Sequence, residues 1–327
     1  MHHLVTGGAG FIGSHLSDAL SAKGDAVTIL DDLSTGAREN VQHLLDGDRV
    51  ELVEGSVLDE RLVDELIDAA DSCFHLASVV GVELVVNRPL ESLLANLRGV
   101  STVTAAAARS GTQLLFASTS EVYGKLSDGA LHEDSDRIYG PATMSRWGYA
   151  TAKVVGEMLA YGYARERAAE IIVVRLFNAV GPRQTGTYGM VLPRFVGQAL
   201  VGEDLTVHGD GKQTRCFTHV EDSVDAIMRL VDDERAIGNV YNIGSQVETS
   251  IGELAARVID RTGSDSKVQY VPYDEAYAAG FEELGRRRPN TNALEKLTGW
   301  RAQCDLDQAI DDVVTYQRQL VKTVELA

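Results

Sequence analysis

The sequence predicts an α/β fold, a doubly wound parallel sheet followed by a smaller C-terminal α/β unit. Three observations predict it. Apolar runs of strand length alternate with helix-length segments through the first half of the chain. A glycine-rich turn, Thr6-Gly-Gly-Ala-Gly-Phe-Ile-Gly13, sits where the first strand should give way to the first helix. Beyond about residue 176 the alternation stops, and glycine and proline crowd residues 181–211.

Leu4-Val-Thr6 reads as a strand, Ile12 to Ala22 as a helix, and Ala26-Val-Thr-Ile-Leu30 as the second strand. Val50-Glu-Leu-Val53 is the third, residues 59–70 a helix, and Ser72-Cys-Phe-His-Leu-Ala77 the fourth strand. Leu90, Leu93, Leu94, Leu97, Val100 and Val103 recur at three- and four-residue spacing, which predicts an amphipathic helix with one buried face. Gln113-Leu-Leu-Phe-Ala117 and Ile171-Ile-Val-Val-Arg-Leu176 are the next strands, with a helix over 150–168 between them. That order implies parallel strands joined by right-handed crossovers. Farther on come a strand at Leu205-Thr-Val-His208, a charged segment over 274–290 and a last helix near 305–318. Residues 1–176 therefore form one expected domain. Residues 177–327 mainly form a second, with some segments returning to the first sheet.

Composition narrows the function classes. The 327 residues are 44% apolar and 24% charged, values of a folded globular chain. Thirty basic against 48 acidic side chains give a net charge of −18, which disfavours nucleic acid and anionic membrane as partners. The longest apolar runs, Ile171–Val174 and Val79–Val82, are strand-sized, and a glycine turn stands where a leader's apolar segment would lie, so the cytosol is the expected compartment. Three cysteines (Cys73, Cys216 and Cys304) are too scattered for a disulfide framework or a metal knuckle. Cys73 reads as core, and His75 and His219 as packing or hydrogen-bonding residues. No metal site is expected.

The glycine turn has the spacing Gly7-x-x-Gly10-x-x-Gly13. Glycines permit the tight turn and let backbone amides approach a pyrophosphate at a helix N-terminus. Asp31 ends the second strand eighteen residues beyond Gly13, where a carboxylate would accept from the adenosine ribose hydroxyls. The same carboxylate repels a 2′-phosphate, so NAD is expected over NADP.

Tyr149-Ala-Thr-Ala-Lys153 places a phenol and an ammonium on one helix face. A cation there favours phenolate, drawing tyrosine toward the range of a general base. Ser118-Thr-Ser-Glu-Val-Tyr-Gly124 follows the fifth strand at the carboxyl edge, where such sheets bind ligands. Thr119 is placed to relay or orient a proton beside Tyr149, and Ser120 and Glu121 adjoin it. The plain alternative for the two hydroxyls is turn chemistry.

Together these residues resemble an extended short-chain dehydrogenase/reductase of the nucleotide-sugar epimerase/dehydratase type, with a Rossmann-type sheet and a C-terminal substrate-binding domain. The resemblance runs nearly end to end, through Phe74-His-Leu-Ala77, Asn96, Arg175-Leu-Phe-Asn178, Gly181-Pro-Arg183, Leu205–Arg215, Gly238–Gly244 and Arg287-x-Pro289. It implies Tyr149 as base, Lys153 on the nicotinamide ribose and Thr119 on the sugar 4-hydroxyl. It implies NAD contacts from Gly7, Gly10, Phe11, Ile12, Gly13, Asp31, Asp32, Ser34, Ser56, Val57, Leu76, Ala77 and Asn96. Ser56 stands where many relatives carry aspartate. Val80, Asn178, Arg183, Val191, Thr206, Arg215 and Arg287 are implied for the nucleotide sugar, the arginines because a diphosphate needs local cations in so acidic a chain. Arg194 is a further candidate of this kind. A homodimer through the helices near 90–109 and 150–165 is implied as well.

The shared chemistry is oxidation at C4 of the sugar, and the later steps divide the family. Return of hydride to the other face gives a 4-epimerase. Loss of carbon dioxide from a glucuronate gives a decarboxylase, and loss of water a 4,6-dehydratase. Thr119-Ser-Glu121 resembles UDP-glucuronate decarboxylases, and Ser120 lacks the acid of the dehydratases. The segments 77–83 and 181–193 look more like the epimerase branch. The resemblance therefore implies first a UDP-glucose or UDP-glucuronate 4-epimerase, and second a UDP-glucuronate decarboxylase. A non-catalytic NAD sensor is disfavoured by the intact Tyr149, Lys153 and Thr119.

Overall fold

The computed structural model describes residues 1–80, 88–186, 189–276 and 284–325. Its largest sheet has seven parallel strands: β1 (His2–Thr6), β2 (Ala26–Asp31), β3 (Val50–Glu54), β4 (Ser72–His75), β5 (Gln113–Thr119), β6 (Ile171–Leu176) and β11 (Val240–Ile243). Their spatial order is β11-β6-β5-β4-β1-β2-β3. The order reverses between β1 and β4, so the carboxyl ends of those strands flank an open crevice.

Continuous apolar runs suit strands covered on both faces, because neighbouring residues point opposite ways. Leu4 and Val5, Leu114 and Leu115, and Ile171 and Ile172 divide between two separate cores in this manner. On one face lie α1 (Phe11–Lys23), α7 (Val220–Val231) and α10 (Asn292–Thr298), contributing Leu16, Leu20, Val224, Ile227 and Leu294, with Trp300 just beyond. On the other lie α3 (Glu60–Asp68), α4 (Pro89–Ser110) and α5 (Arg146–Arg167). Cys73 is buried there. Local chemistry sets the helix ends: the Asp59 carboxylate accepts from Leu62 N at 3.1 Å to start α3, and left-handed Gly24 and Gly111 end α1 and α4.

A third core joins α6 (Val191–Leu200), β8 (Leu205–His208), α8 (Ile251–Thr262) and α11 (Leu306–Glu325). Short strands frame it: β7 (Ala179–Val180) with β10 (Thr218–His219), β8 with β13 (Val268–Val271), and β9 (Thr214–Cys216) between β12 (Glu248–Ser250) and β14 (Arg286–Arg287). The chain beyond residue 176 thus serves both units, since α7, β11 and α10 pack on the large sheet.

One expectation fails at α4. Its N-terminal leucines do not share the buried face: Leu90 and Leu94 are 68% and 38% exposed, whereas Val100 and Val103 are buried. Met158 and Tyr161 on α5 are likewise exposed. The C-terminal turns of α4 pack on the sheet through Val100, Val103, Ala106 and Ala107.

Candidate active site

The glycine turn is built by close approach. Gly7 has φ +70°, and a Cβ there would stand 2.7 Å from Ala77 N; a Cβ on Gly13 would stand 2.2 Å from Gly7 O. Neither position tolerates a side chain without backbone movement. Gly10 begins α1 with no side-chain cap, leaving the helix N-terminus to a ligand's anion. Beneath the turn, the Asp31 carboxylate accepts from Ala9 N and Leu33 N, each at 2.9 Å. Burial raises its pKa, and those two amides pull it back down. Asp31 therefore supports the turn as well as facing the crevice. These are the features a dinucleotide requires.

A cavity of about 530 Å³ runs from this turn to the third core. Gly7, Gly10, Phe11, Ile12, Gly13, Asp31, Asp32, Ser34, Ser56, Val57, Leu76, Ala77 and Asn96 line one end. Asn96 does so as a clamp: its Oδ1 accepts from Ser78 Oγ and Val79 N, and its Nδ2 donates to Val79 O. Val80, Asn178, Val191, Arg215 and Arg287 line the other end. Residues 81–83 of the segment read at 77–83, and 187–188 of that read at 181–193, lie outside the described residues.

Tyr149, Lys153, Thr119, Ser120 and Glu121 meet at the middle. Tyr149 hydrogen-bonds to Ser78 and Thr119. Lys153 Nζ donates to Ala117 O at 2.8 Å and lies 6.0 Å from the Tyr149 ring centroid. The expected depression of the phenol's pKa is not found in the protein alone. Burial, followed by the charge of Glu121, raises Tyr149 above its ordinary value. Burial also lowers Lys153 to about 7, against the pull of Glu157. The tyrosine needs a further positive charge to act as a base near neutrality, and a bound oxidised nicotinamide is one.

Glu121 is flanked by arginines. Arg287 Nη1 donates to Glu121 Oε1 and lies 3.4 Å from Ser120 Oγ, while Arg146 Nη2 donates to Glu121 Oε2 at 3.1 Å. Burial pushes this carboxyl up, but the two guanidiniums outweigh it and leave a pKa of about 2. The cluster carries a net positive charge beside Tyr149, with Arg215 near enough to act on Glu121 as well.

Two expected residues do not reach the cavity wall. Arg183 pairs with Asp18 on α1 at 2.7 Å. Thr206 bonds to Gln198 of α6, its N to Oε1 and its Oγ1 to Nε2, each at 3.2 Å. Arg194 does line the cavity, as do Ser78, Arg146, His208, Gln213 and Tyr273, which sequence reasoning missed. Arg146 had a usable signal, since it precedes Tyr149 by one helical turn. Ser78 and Gln213 come from loops, His208 ends β8 and Tyr273 opens a short helix, and none carries a local signal. Arg286 pairs with Glu248.

His75 is buried, with Nδ1 at 2.8 Å from Thr6 Oγ1. Ligand atoms of His219, Glu221 and Cys304 lie within 4.8 Å of one another. His219 Nδ1, however, caps α7 by accepting from Glu221 N, and its Nε2 lies 3.3 Å from Asp312. Nδ1 is thereby committed to the helix cap. Among the described residues no helix is long and apolar enough to cross a membrane.

Residues 3–244 match the model of the NAD dependent epimerase/dehydratase family. The chain is 39% identical to a UDP-N-acetyl-alpha-D-glucosaminuronate decarboxylase of Bacillus cytotoxicus, over 97% of this chain and 98% of that one. It is 33% identical to UDP-glucuronic acid decarboxylase 1 of Xenopus tropicalis, over 97% of this chain and 72% of that one. Among solved structures it resembles the UDP-glucuronic acid 4-epimerase of Bacillus cereus in complex with UDP-glucuronic acid and NAD. The TM-score is 0.88 at 27% identity, covering 98% of this chain and 100% of that one.

Proposed function

From its membership of the NAD-dependent epimerase/dehydratase family, we propose that this chain decarboxylates a UDP-linked hexuronate through a 4-keto intermediate. The observation that carries the reading is the Arg287–Glu121–Arg146 cluster beside Tyr149. A sugar carboxylate entering the cavity meets net positive charge there, which a hydroxymethyl group at C6 would not exploit. Relatives at 39% and 33% identity bear decarboxylase names, which supports decarboxylation over the epimerase reading that the sequence motifs put first.

In this reading Tyr149 removes the proton of the sugar 4-hydroxyl, and Thr119 orients that hydroxyl through the bond it shares with Tyr149. Gly7, Gly10, Gly13 and Asp31 hold the dinucleotide, and Lys153 holds its nicotinamide ribose. NAD, when bound, accepts the C4 hydride and later gives it back. The new 4-ketone is β to the C6 carboxylate, so the C5–C6 bonding electrons move into an enolate as carbon dioxide leaves. Protonation at C5, return of the hydride to C4 and return of the Tyr149 proton to the C4 oxygen give a UDP-pentose. The balance is one proton consumed and one carbon dioxide released, with no net oxidation. Arg287 and Arg146 keep Glu121 ionised and orient the C6 carboxylate before it leaves as carbon dioxide.

The 4-epimerase remains the second reading, favoured by the structural likeness to a UDP-glucuronic acid 4-epimerase. It shares every step up to the ketone. An NMR time course with NAD and, separately, UDP-glucuronate, its 2-acetamido analogue and UDP-glucose separates the two. A pentose product supports decarboxylation, and a galacto-configured sugar with C6 retained supports epimerisation. The exposed Leu90, Leu94, Met158 and Tyr161 on α4 and α5 support a homodimer through these helices.

A further inference from the structure

A buried charge network lies beneath the reactive wall. Glu157 is wholly buried on α5, one helical turn beyond Lys153. Its Oε1 accepts from Ser118 Oγ at 2.5 Å and from Arg175 Nε at 2.9 Å. Its Oε2 accepts from Arg175 Nη2 at 2.8 Å and from Arg137 Nη2. Arg175 Nη1 continues to Tyr123 Oη and to the carbonyl of Glu133. Three successive residues of β5 thus bond to three residues of α5. Ala117 O takes Lys153, Ser118 Oγ gives to Glu157, and Thr119 meets Tyr149.

We propose that Glu157 is a positioning residue for the Tyr149–Lys153 pair, keeping the buried Lys153 charged and fixing, through Ser118, the strand end that presents Thr119. A buried ammonium needs an anion nearby. Around Lys153 stand Glu157 and Tyr149 from α5, His75 from β4, and the Ala117 carbonyl and Phe116 ring from β5, the ring centroid 5.0 Å away. His75 is neutral, because burial and then the charge of Lys153 lower it to about 3. Tyr149 is neutral in the free protein, and the charge of Glu121 is engaged by Arg287 and Arg146. Glu157 is the anion that acts on Lys153. Its own charge is offset by Arg175, which is buried, and by Arg137, which is 25% exposed. Removing Glu157 and removing Arg137 must therefore push Lys153 in opposite directions, which a purely structural role would not do.

The inference rests on the reading that Tyr149 and Lys153 begin the reaction, and holds for either product. It is tested on the full chain carrying 13C-labelled lysine, with the Lys153 signal identified by its loss in K153R. Wild type, E157Q and R137Q are titrated by NMR without substrate, and the pH profile of kcat is recorded on whichever UDP-sugar is turned over. E157Q is expected to move the Lys153 midpoint, and the alkaline limb of kcat, to lower pH by about one pH unit or more. R137Q is expected to move both to higher pH. Midpoints that stay with the wild type, or that move in the same direction, overturn the proposal whatever the activity does. Should E157Q fail to fold, the direction of the R137Q shift decides alone. The NMR titration needs no turnover, so a wrong substrate leaves it readable.

Discussion

Arg287 and Glu121 are 166 residues apart in the chain, yet their side chains form an ion pair in the cavity wall, joining β14 to the turn after β5. The pair fastens the C-terminal unit to the large sheet at the point where Tyr149 stands. A single contact therefore shapes both the fold of the cavity and its charge. Replacing Arg287 by methionine leaves Glu121 hydrogen-bonded to Arg146, with Arg215 acting from farther off. The expected loss on a hexuronate substrate is about 30-fold or more in kcat/KM, about 2 kcal/mol. Steady-state kinetics check this, and a smaller effect on a C6-hydroxymethyl sugar is expected in parallel.

Tyr149 has no substitute for its proton transfer. Tyr149→Phe removes the phenol and keeps the ring, so folding and NAD binding should persist. The expected fall in kcat is about 100-fold or more. Circular dichroism and NAD binding, measured beside turnover, separate a chemical loss from a structural one.

Acid should weaken the protein through Glu121. The group lies at about 2 in the fold against an ordinary 4.5, because the arginines outweigh burial. A depressed carboxyl contributes stability above its unfolded value and loses that contribution as the folded pKa is approached. Wild type should therefore lose stability between pH 4.5 and about 2 partly through this group. Glu121→Gln should be less stable than wild type at neutral pH and show a shallower decline in that window. Scanning calorimetry across pH gives both curves.

At the glycine turn, Gly13→Ala forces a Cβ to within 2.2 Å of the Gly7 carbonyl. The backbone must shift, and loss of NAD binding is the expected result. Asp31→Ser has a subtler expectation, since it removes the acceptor for two turn amides along with the ribose-facing charge. NAD should bind about tenfold more weakly, as for loss of a charged hydrogen bond, and discrimination against NADP should narrow. Isothermal titration with both dinucleotides measures these effects.

The exposed leucine face of α4 makes a prediction about assembly. Leu94→Asp combined with Met158→Asp puts charge on a surface that two copies would cover. Light scattering should report a dimer for wild type and a monomer for the double variant, each with native circular dichroism.

How far the sequence carried is clear from particular residues. Ile171–Leu176 and Leu205–His208 were located to the residue, the first from the apolar run Ile171–Val174 of a buried parallel strand and the second from a short alternation of buried and half-buried positions. The glycine turn, Asp31 and the Tyr149–Lys153 spacing were legible because each is a local pattern. Arg146 and Glu157 continue the helical spacing of Tyr149 and Lys153 on α5, so their face was readable although their partners were not. Ser78 and Gln213 meet the cavity from loops, and His208 and Tyr273 from the ends of short elements, so no periodicity marks them. Arg183 was misplaced because the Gly-Pro-Arg turn says nothing of Asp18, far earlier on α1. Leu90 and Leu94 share the spacing of a buried face without the sheet to bury them.

The most direct measurement follows C6 itself. UDP-glucuronate, or its 2-acetamido analogue, labelled with 13C at C6 is incubated with the purified protein and NAD in a sealed tube. Release of the label as carbon dioxide and bicarbonate, matched by growth of an unlabelled UDP-pentose, is the predicted result. Turnover that keeps the label in a hexuronate inverted at C4 would contradict decarboxylation.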